Sequence, residues 1–510
     1  MRAFPSLPLA LVALACVSEH GPLTNRMAQS STRYLTRAAR QPVSWQPWGR
    51  EAFALAARLD RPVLLYVGAD DCRSCAAMDR EVYEDAALGS MIDSLFVPVR
   101  VDRDERPDVA ERYEAAVRWL AGLSGYPVTA FLTPDGSAFF GGTYFPADDP
   151  VTGRGLKQIL PEVAKSYRER RAFIVQHAAL VRELTRTRDA QARSVLRPAA
   201  IEAEVNAVRG SLRLAVASRG ALRSFTHTQA VSLMLVTYRR TGDSSYLDAA
   251  RAALDLMVDS ADSTGADGAR DEPPTLVRAG LVRALAPAWA LTGEARYGAA
   301  LLALLNRLTR DVGRTTFADQ EAYVIGSVLN GPPGLGASAA TRALSALDAL
   351  LRRAYAPGRG VRHSATAGPG VLLQDQVQLA GACLAAYRRS GGRRYLLVAE
   401  DLASVLDRDF ADSAVGGYFD SATGDPTAPA LPDRAKPVLD GLLPGGNASA
   451  AQVLLELAEA TGDPRYRQRA EATLEALAGA VSREGTRAAS YLAAAEQALD
   501  AHGHDWLQRH

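Results

Sequence analysis

Pro62-Val63-Leu64-Leu65-Tyr66-Val67 leads, after a short polar step, into Cys72-Arg73-Ser74-Cys75, and this stretch decides the fold of the first part of the chain. The apolar run reads as a strand and the residues from Cys72 onward can be helical, which sets two cysteines one helical turn apart. The first of them then stands at a helix N-terminus. Unpaired backbone N–H groups and the helix dipole favour a thiolate there, so Cys72 is the candidate nucleophile and Cys75 the resolving thiol of a dithiol that trades with disulfides. Arg73 adds a positive charge beside Cys72, while Asp70 and Asp71 oppose it or cap the helix.

Working outward, Gly49 to Leu59 reads as a helix, Val63 to Val67 as a strand, Cys72 to about Ile92 as a helix and Phe96 to Val101 as a strand. Asp108 to Leu120 is helical after Pro107, and Val128 to Leu132 and Ala138 to Phe140 flank Thr133-Pro134-Asp135-Gly136, a turn composition that makes a hairpin. A helix from Leu156 closes the unit. The order is that of an α/β domain and resembles the thioredoxin fold, in which a cis proline faces the cysteines. Pro127, after Gly125-Tyr126, holds that place, and Pro is the one residue for which cis is cheap. Pro127 is therefore expected to be cis and to shape a substrate groove with Tyr126 and Arg73, the alternative being a trans Pro opening an edge strand.

Beyond about Val195 strand signals stop and Ala/Leu/Arg-rich helical periods take over. Thr241-Gly242-Asp243-Ser244-Ser245-Tyr246, Thr292-Gly293-Glu294-Ala295-Arg296-Tyr297, Ser390-Gly391-Gly392-Arg393-Arg394-Tyr395 and Thr461-Gly462-Asp463-Pro464-Arg465-Tyr466 each end one helix and start another. Gly suits the left-handed cap, and the Tyr falls on the apolar face of the next helix. The interval from Gly293 to Gly391 is close to twice that from Gly242 to Gly293, so a further hairpin is expected between them. Stacked hairpins of this period make an open solenoid or a closed (α/α) toroid. The expected architecture is multidomain, α/β plus all-α.

Asn25-Arg26-Met27-Ala28, Pro42-Val43-Ser44-Trp45, Val101-Asp102-Arg103-Asp104-Glu105-Arg106-Pro107-Asp108 and above all Phe139-Phe140-Gly141-Gly142-Thr143-Tyr144-Phe145-Pro146 resemble, in order and spacing, the thioredoxin-domain proteins related to spermatogenesis-associated protein 20. A weaker likeness follows through Gly416-Gly417-Tyr418-Phe419-Asp420 and Asp440-Gly441 into Gly445-Gly446-Asn447-Ala448. The resemblance implies a thioredoxin-like domain joined to an (α/α) toroid of the six-hairpin glycosidase type. A carbohydrate site in such a ring needs two carboxylates facing one cavity, roughly 5–9.5 Å apart. Asp375 and Asp440 are the candidates, with Asn447 beside them, and helix capping is their competing role. His227 and His363 read as isolated structural or surface residues.

With a formal net charge of +1 and interspersed signs, the chain carries no electrostatic footprint for nucleic acid or an anionic membrane. Besides Cys72 and Cys75 there are only Cys16 and Cys383, too scattered for a disulfide scaffold. A structural zinc site wants four ligands, and no second C-x-x-C or spaced His pair lies near the first, so neither metal nor cofactor is expected. Arg2 followed by an apolar stretch from Phe4 to Val17 resembles an export signal, with Cys16 open to lipidation as a membrane anchor, so the location is expected to be extracytoplasmic, or cytoplasmic if that reading fails. The expected division is a leader over 1–24, the thioredoxin-like domain over 25–175, a linker helix over 176–198, the toroid over 199–500 and a tail over 501–510. The function expected is thiol-disulfide exchange on protein or small-molecule thiols and disulfides, with the toroid as scaffold. The alternative is a carbohydrate-active or sugar-binding toroid carrying a non-catalytic thioredoxin-like module.

Overall fold

Every residue of Val63–Gly68 is buried, because alternate side chains of a strand go to opposite faces and both faces of this one are covered. The computed structural model describes residues 23–149, 151–190, 193–218, 225–262, 275–333, 336–365, 370–423 and 433–500. The first part runs α1 (Arg33–Arg37), β1 (Gln46–Pro47), α2 (Arg50–Leu59), β2 (Val63–Gly68), α3 (Arg73–Met78), α4 (Ala86–Leu95), β3 (Val97–Asp102), α5 (Pro107–Ala121), β4 (Val128–Leu132), β5 (Ala138–Gly142), α6 (Leu156–Glu169) and α7 (Arg171–Ala190). Its sheet has the order β1-β3-β2-β4-β5. β1, β3 and β2 are parallel, and β4 and β5 are antiparallel, the latter two joined by the expected hairpin. Leu64 and Tyr66 pack on one side with Trp45, Phe96 and Phe131 under α4 and α6, and Val63, Leu65 and Val67 on the other with Phe53, Val109 and Tyr113 of α2 and α5. This is a thioredoxin-like layer structure.

One expectation is corrected by the structure. The helix read from Cys72 to about Ile92 is broken: α3 passes into a π-helical turn at Asp79–Tyr83, and the chain restarts at α4. Asp85 is the cause, since its carboxylate accepts from the Ala87 and Leu88 N–H groups and so caps a new helix. The helix α7 itself spans residue 175.

The second part is helical, with α8 (Pro198–Ala217), α9 (Phe225–Thr241), α10 (Ser244–Asp262), α11 (Thr275–Thr292), α12 (Ala295–Asp311), α13 (Ala318–Leu329) and α14 (Ala337–Ala354). After a ribbon of β6 (Tyr355–Ala356) and β7 (Gly360–Val361) come α15 (Leu373–Ser390), α16 (Arg393–Val405), α17 (Gly446–Thr461), α18 (Pro464–Leu477) and α19 (Ala489–Leu499). Each odd-numbered helix from α9 to α19 packs on the next, and α19 packs back on α9, so these six close a ring. The even-numbered helices α8 to α18 pack around it. The second part is therefore an (α/α) toroid and not an open solenoid. Composition explains the two layers: α13 is buried without interruption from Ala322 to Leu329, whereas α14 buries only a stripe, Ala339, Ala340, Ala343, Leu347, Leu350 and Ala354.

The repeated glycines close the hairpins, Gly391 and Gly462 in the left-handed region with φ of 69° and 74° at the ends of α15 and α17. The tyrosines that follow do more than fill the core. The hydroxyls of Tyr246, Tyr297 and Tyr395 donate to Asn206, Asp255 and Asp348 on the preceding outer helix, at 3.0, 2.8 and 2.9 Å. The hairpin expected between Gly293 and Gly391 is α13 with α14.

The thioredoxin-like part meets the ring at the end where the inner helices start. Arg487, just before α19, donates to both carboxylate oxygens of Glu114 on α5 at 2.9 and 3.2 Å. Arg112 donates to the Asp433 carbonyl, and His363 donates to the Asp104 carbonyl at 2.8 Å.

Candidate functional site

Cys72 is the N-cap of α3, and its sulfur accepts from the Cys75 backbone N–H at 3.1 Å. The two sulfurs are joined in a disulfide with an S–S distance of 2.08 Å. Cys72 is half-buried and Cys75 fully buried, so Cys72 is the residue of the pair that solvent reaches. The Tyr126–Pro127 peptide bond is cis, as expected.

The acids beside the cysteines do not cap the helix, because Cys72 itself holds that position. Each is paired with an arginine: Asp70 with Arg37, and Asp71 with Arg103 at 2.6 Å. Arg103 also lies over the Tyr126 ring, its guanidinium carbon 5.2 Å from the centroid. One side chain thus ties the dithiol loop to the cis-proline loop. Tyr126, expected to line a groove, is half-buried beneath that guanidinium, while Arg73 is exposed at the first position of α3.

Beneath the dithiol, register sets Arg100 of β3 opposite Tyr66 of β2. The Arg100 guanidinium is 1% exposed and donates to both oxygens of Asp79 at 2.7 and 2.8 Å. It also lies 4.4, 5.5 and 5.0 Å from the rings of Tyr34, Trp45 and Tyr66. A cation this deep is tolerable only because a carboxylate and three aromatic faces meet it. Tyr66 in turn donates from its hydroxyl to the Cys75 carbonyl at 3.2 Å, which fixes the floor of the site. Gly68 leaves room for it: a Cβ there would stand 2.1 Å from the Tyr34 hydroxyl and 3.1 Å from the Cys75 sulfur.

The toroid candidates have a different setting. Asp375, in the first turn of α15, accepts through one oxygen from the Asp319 N–H at 3.0 Å and lies 2.9 Å from His363 Nδ1. Asp440 accepts from the Gly445 and Ser490 N–H groups at 3.0 and 2.9 Å. Asn447 accepts from the Tyr418 N–H and donates to the Tyr418 and Pro437 carbonyls. All three are buried, and among the described residues Asp375 and Asp440 share no hydrogen-bond partner. Burial pushes the Asp440 carboxyl up to about 7, against the two N–H groups that favour its charged form. His363 is not isolated: it is completely buried between Asp375, Asp319 and the thioredoxin-like part. His227 is half-buried near the start of α9. Cys16 and any leader lie outside the described residues.

Sequence reasoning missed Arg103 and the His363 cluster. Arg103 stands within the stretch Val101 to Asp108 that carries the family resemblance, which was the available signal. No local pattern marks Asp319 as a neighbour of His363 or Asp375.

Residues 24–185 match the family described as Thioredox_DsbH, protein of unknown function, DUF255. An uncharacterized protein of Caenorhabditis elegans, B0495.5, is 35% identical over 175 residues, 34% of this chain and 24% of that protein. Spermatogenesis-associated protein 20 of Homo sapiens is 34% identical over 157 residues, 31% of this chain and 20% of the human protein. The resemblance read from the sequence holds for the N-terminal part, and the aligned region spans about a quarter or less of the length of these relatives. Among solved structures, an unsaturated glucuronyl hydrolase specific for heparin covers 59% of this chain and 97% of its own, at 12% identity and a TM-score of 0.44. A family 105 glycoside hydrolase of C. acetobutylicum covers 57% and 98%, at 10% identity and a TM-score of 0.42. The ring itself stands on the helix packing described above.

Proposed function

We propose that the protein carries out thiol-disulfide exchange through Cys72 and Cys75 on protein or small-molecule substrates, with the toroid as a rigid partner-binding scaffold. The observation that supports this best is the position of Cys72: half-open to solvent, at a helix N-terminus, accepting the Cys75 N–H, in a fold whose cis proline precedes β4. In the reduced form the Cys72 thiolate attacks one sulfur of a substrate disulfide and expels the other as a thiolate. The Cys75 thiol, once deprotonated, attacks Cys72 in the mixed disulfide, releases the second substrate thiolate and leaves the protein disulfide. Two electrons pass to the substrate, and an external thiol restores the dithiol.

Reduction of insulin disulfides with dithiothreitol as electron donor tests the reading. Cys72→Ser is expected to abolish turnover above the uncatalysed background, and Cys75→Ser to accumulate a mixed disulfide with substrate. Undiminished turnover in Cys72→Ser, or no reversible couple for the pair in a redox titration, refutes it. An extracytoplasmic location is proposed on the leader-like segment alone, and mass spectrometry of the mature N-terminus tests both export and a lipid on Cys16.

The carbohydrate reading has the ring architecture in its favour, but its candidate residues are already engaged. Asp440 and Asn447 direct their polar atoms at backbone groups, and Asp375 meets the Asp319 N–H and His363 through Oδ1, its other oxygen being buried. Calorimetric titration with oligosaccharides is expected to show no saturable heat that depends on them.

A further inference from the structure

The structure assigns a divalent-cation site to Asp319, His363 and Asp375, at the seam between the ring and the thioredoxin-like part. The three come from the first turn of α13, the loop after β7 and the first turn of α15, and one donor atom from each lies within 4.8 Å of the others. His363 Nδ1 is 2.9 Å from an Asp375 oxygen and 3.7 Å from an Asp319 oxygen. Exposure is 0% for His363 and Asp375 and 3% for Asp319, so water does not compensate these charges.

What each atom of the cluster can accept decides which cation fits. His363 Nε2 faces the Asp104 carbonyl at 2.8 Å, and a carbonyl only accepts, so Nε2 carries a proton. In the neutral ring this leaves the Nδ1 lone pair pointing at carboxylates, and a lone pair and a carboxylate cannot face each other without a cation between them. A second proton fills that place for one carboxylate only. Among the described residues Asp319 and Asp375 make no ion pair with Lys or Arg, and an oxygen of Asp375, Oδ2, is buried and has no hydrogen-bond partner. A divalent ion bound by Nδ1 and one oxygen of each carboxylate neutralises both acids, and the orphaned oxygen is the independent sign that such a partner belongs there. Imidazole with two carboxylates suits a first-row ion such as zinc or manganese. The ring N–H held by a backbone carbonyl is the outer arrangement that orients a metal-binding His.

The carbonyl in question belongs to Asp104, next to Arg103, which holds Asp71 beside the dithiol. The ion therefore fixes the ring to the loop that braces the candidate redox site. This inference does not depend on the dithiol being active.

Full-length protein purified without chelator, measured by inductively coupled plasma mass spectrometry, is expected to carry close to one zinc or manganese per chain. After dialysis against chelator, added zinc(II) or manganese(II) is expected to raise the melting temperature by several degrees in the parent protein and not in Asp375→Asn or Asp319→Asn. X-ray absorption at the metal edge is expected to show nitrogen and oxygen neighbours with one imidazole. A parent protein that holds no stoichiometric metal and whose melting temperature ignores both ions overturns the assignment. So does an NMR spectrum in which His363 keeps both ring protons in the presence of metal. The parent protein alone decides the matter if the variants fail to fold.

Discussion

Cys72 and Asp375 stand in the same local setting, a loop feeding the first turn of a helix, and come to opposite ends. Cys72 caps α3 at the edge of the thioredoxin-like part as a half-buried residue. Asp375 begins α15 under the other half of the molecule and meets a backbone N–H and a histidine with no solvent at all. A helix N-terminus supplies both groups with a field that favours negative charge. What covers the group decides whether that charge can react or only hold the chain together.

The sharpest way to break the comparison is to remove both groups in turn. Asp375→Ala is expected to cost roughly 3–5 kcal/mol in denaturant unfolding, because it leaves His363 buried beside an incomplete partner set. Insulin reduction per folded molecule stays unchanged. Cys72→Ser reverses the pattern: turnover vanishes, while the stability lost is at most about 2 kcal/mol, since a bridge across so short a loop restrains little chain entropy. If Asp375→Ala lowered turnover and left stability alone, the division between a reactive and a structural end would be wrong.

The packing beneath the dithiol offers a smaller effect. Gly68→Ala pushes a Cβ to within 2.1 Å of the Tyr34 hydroxyl, and overpacking of this kind costs about 1–3 kcal/mol. Tyr34→Phe, which removes a buried hydroxyl without a geometric hydrogen-bond partner among the described residues, is expected to recover part of the loss in the double variant, as read by denaturant midpoints.

The smallest expected effect is a pH slope in the ring. Burial raises the Asp440 carboxyl to about 7 in the folded chain, whereas an unfolded Asp titrates near 4. Between these values the folded state holds the proton more tightly, so this group's contribution to stability is full at about pH 4 and falls away as pH rises through 7. Asp440→Asn is expected to flatten the change in unfolding free energy between pH 5 and pH 8. An unchanged slope in the variant would show that the carboxyl is ionised throughout.

What the sequence made legible was local. The spacing of Cys72 and Cys75, the place of Pro127 before a strand, the turn at Thr133 to Gly136 and the Gly-to-Tyr steps of the hairpins all act over a few residues, where backbone chemistry dominates. The break before α4 was legible in principle, since Asp85 is a cap residue, but an uninterrupted helical period hid it. His363 was not legible, because its neighbours Asp104, Asp319 and Asp375 come from both halves of the chain and meet only when the ring has closed. Nor does the spacing of Asp375 and Asp440 reveal that the two engage separate sets of backbone groups.

Closure by α19 has a consequence for how the protein is made. The helix that seals the ring against α9 is encoded near the end of the described chain. At translation speeds of roughly 5–20 residues per second the thioredoxin-like part has its whole sheet in hand long before that helix leaves the ribosome. Until then the apolar flanks of α9 and α17 lie bare to other nascent chains, so aggregation during synthesis is a hazard of the late-finished ring far more than of the part that emerges first.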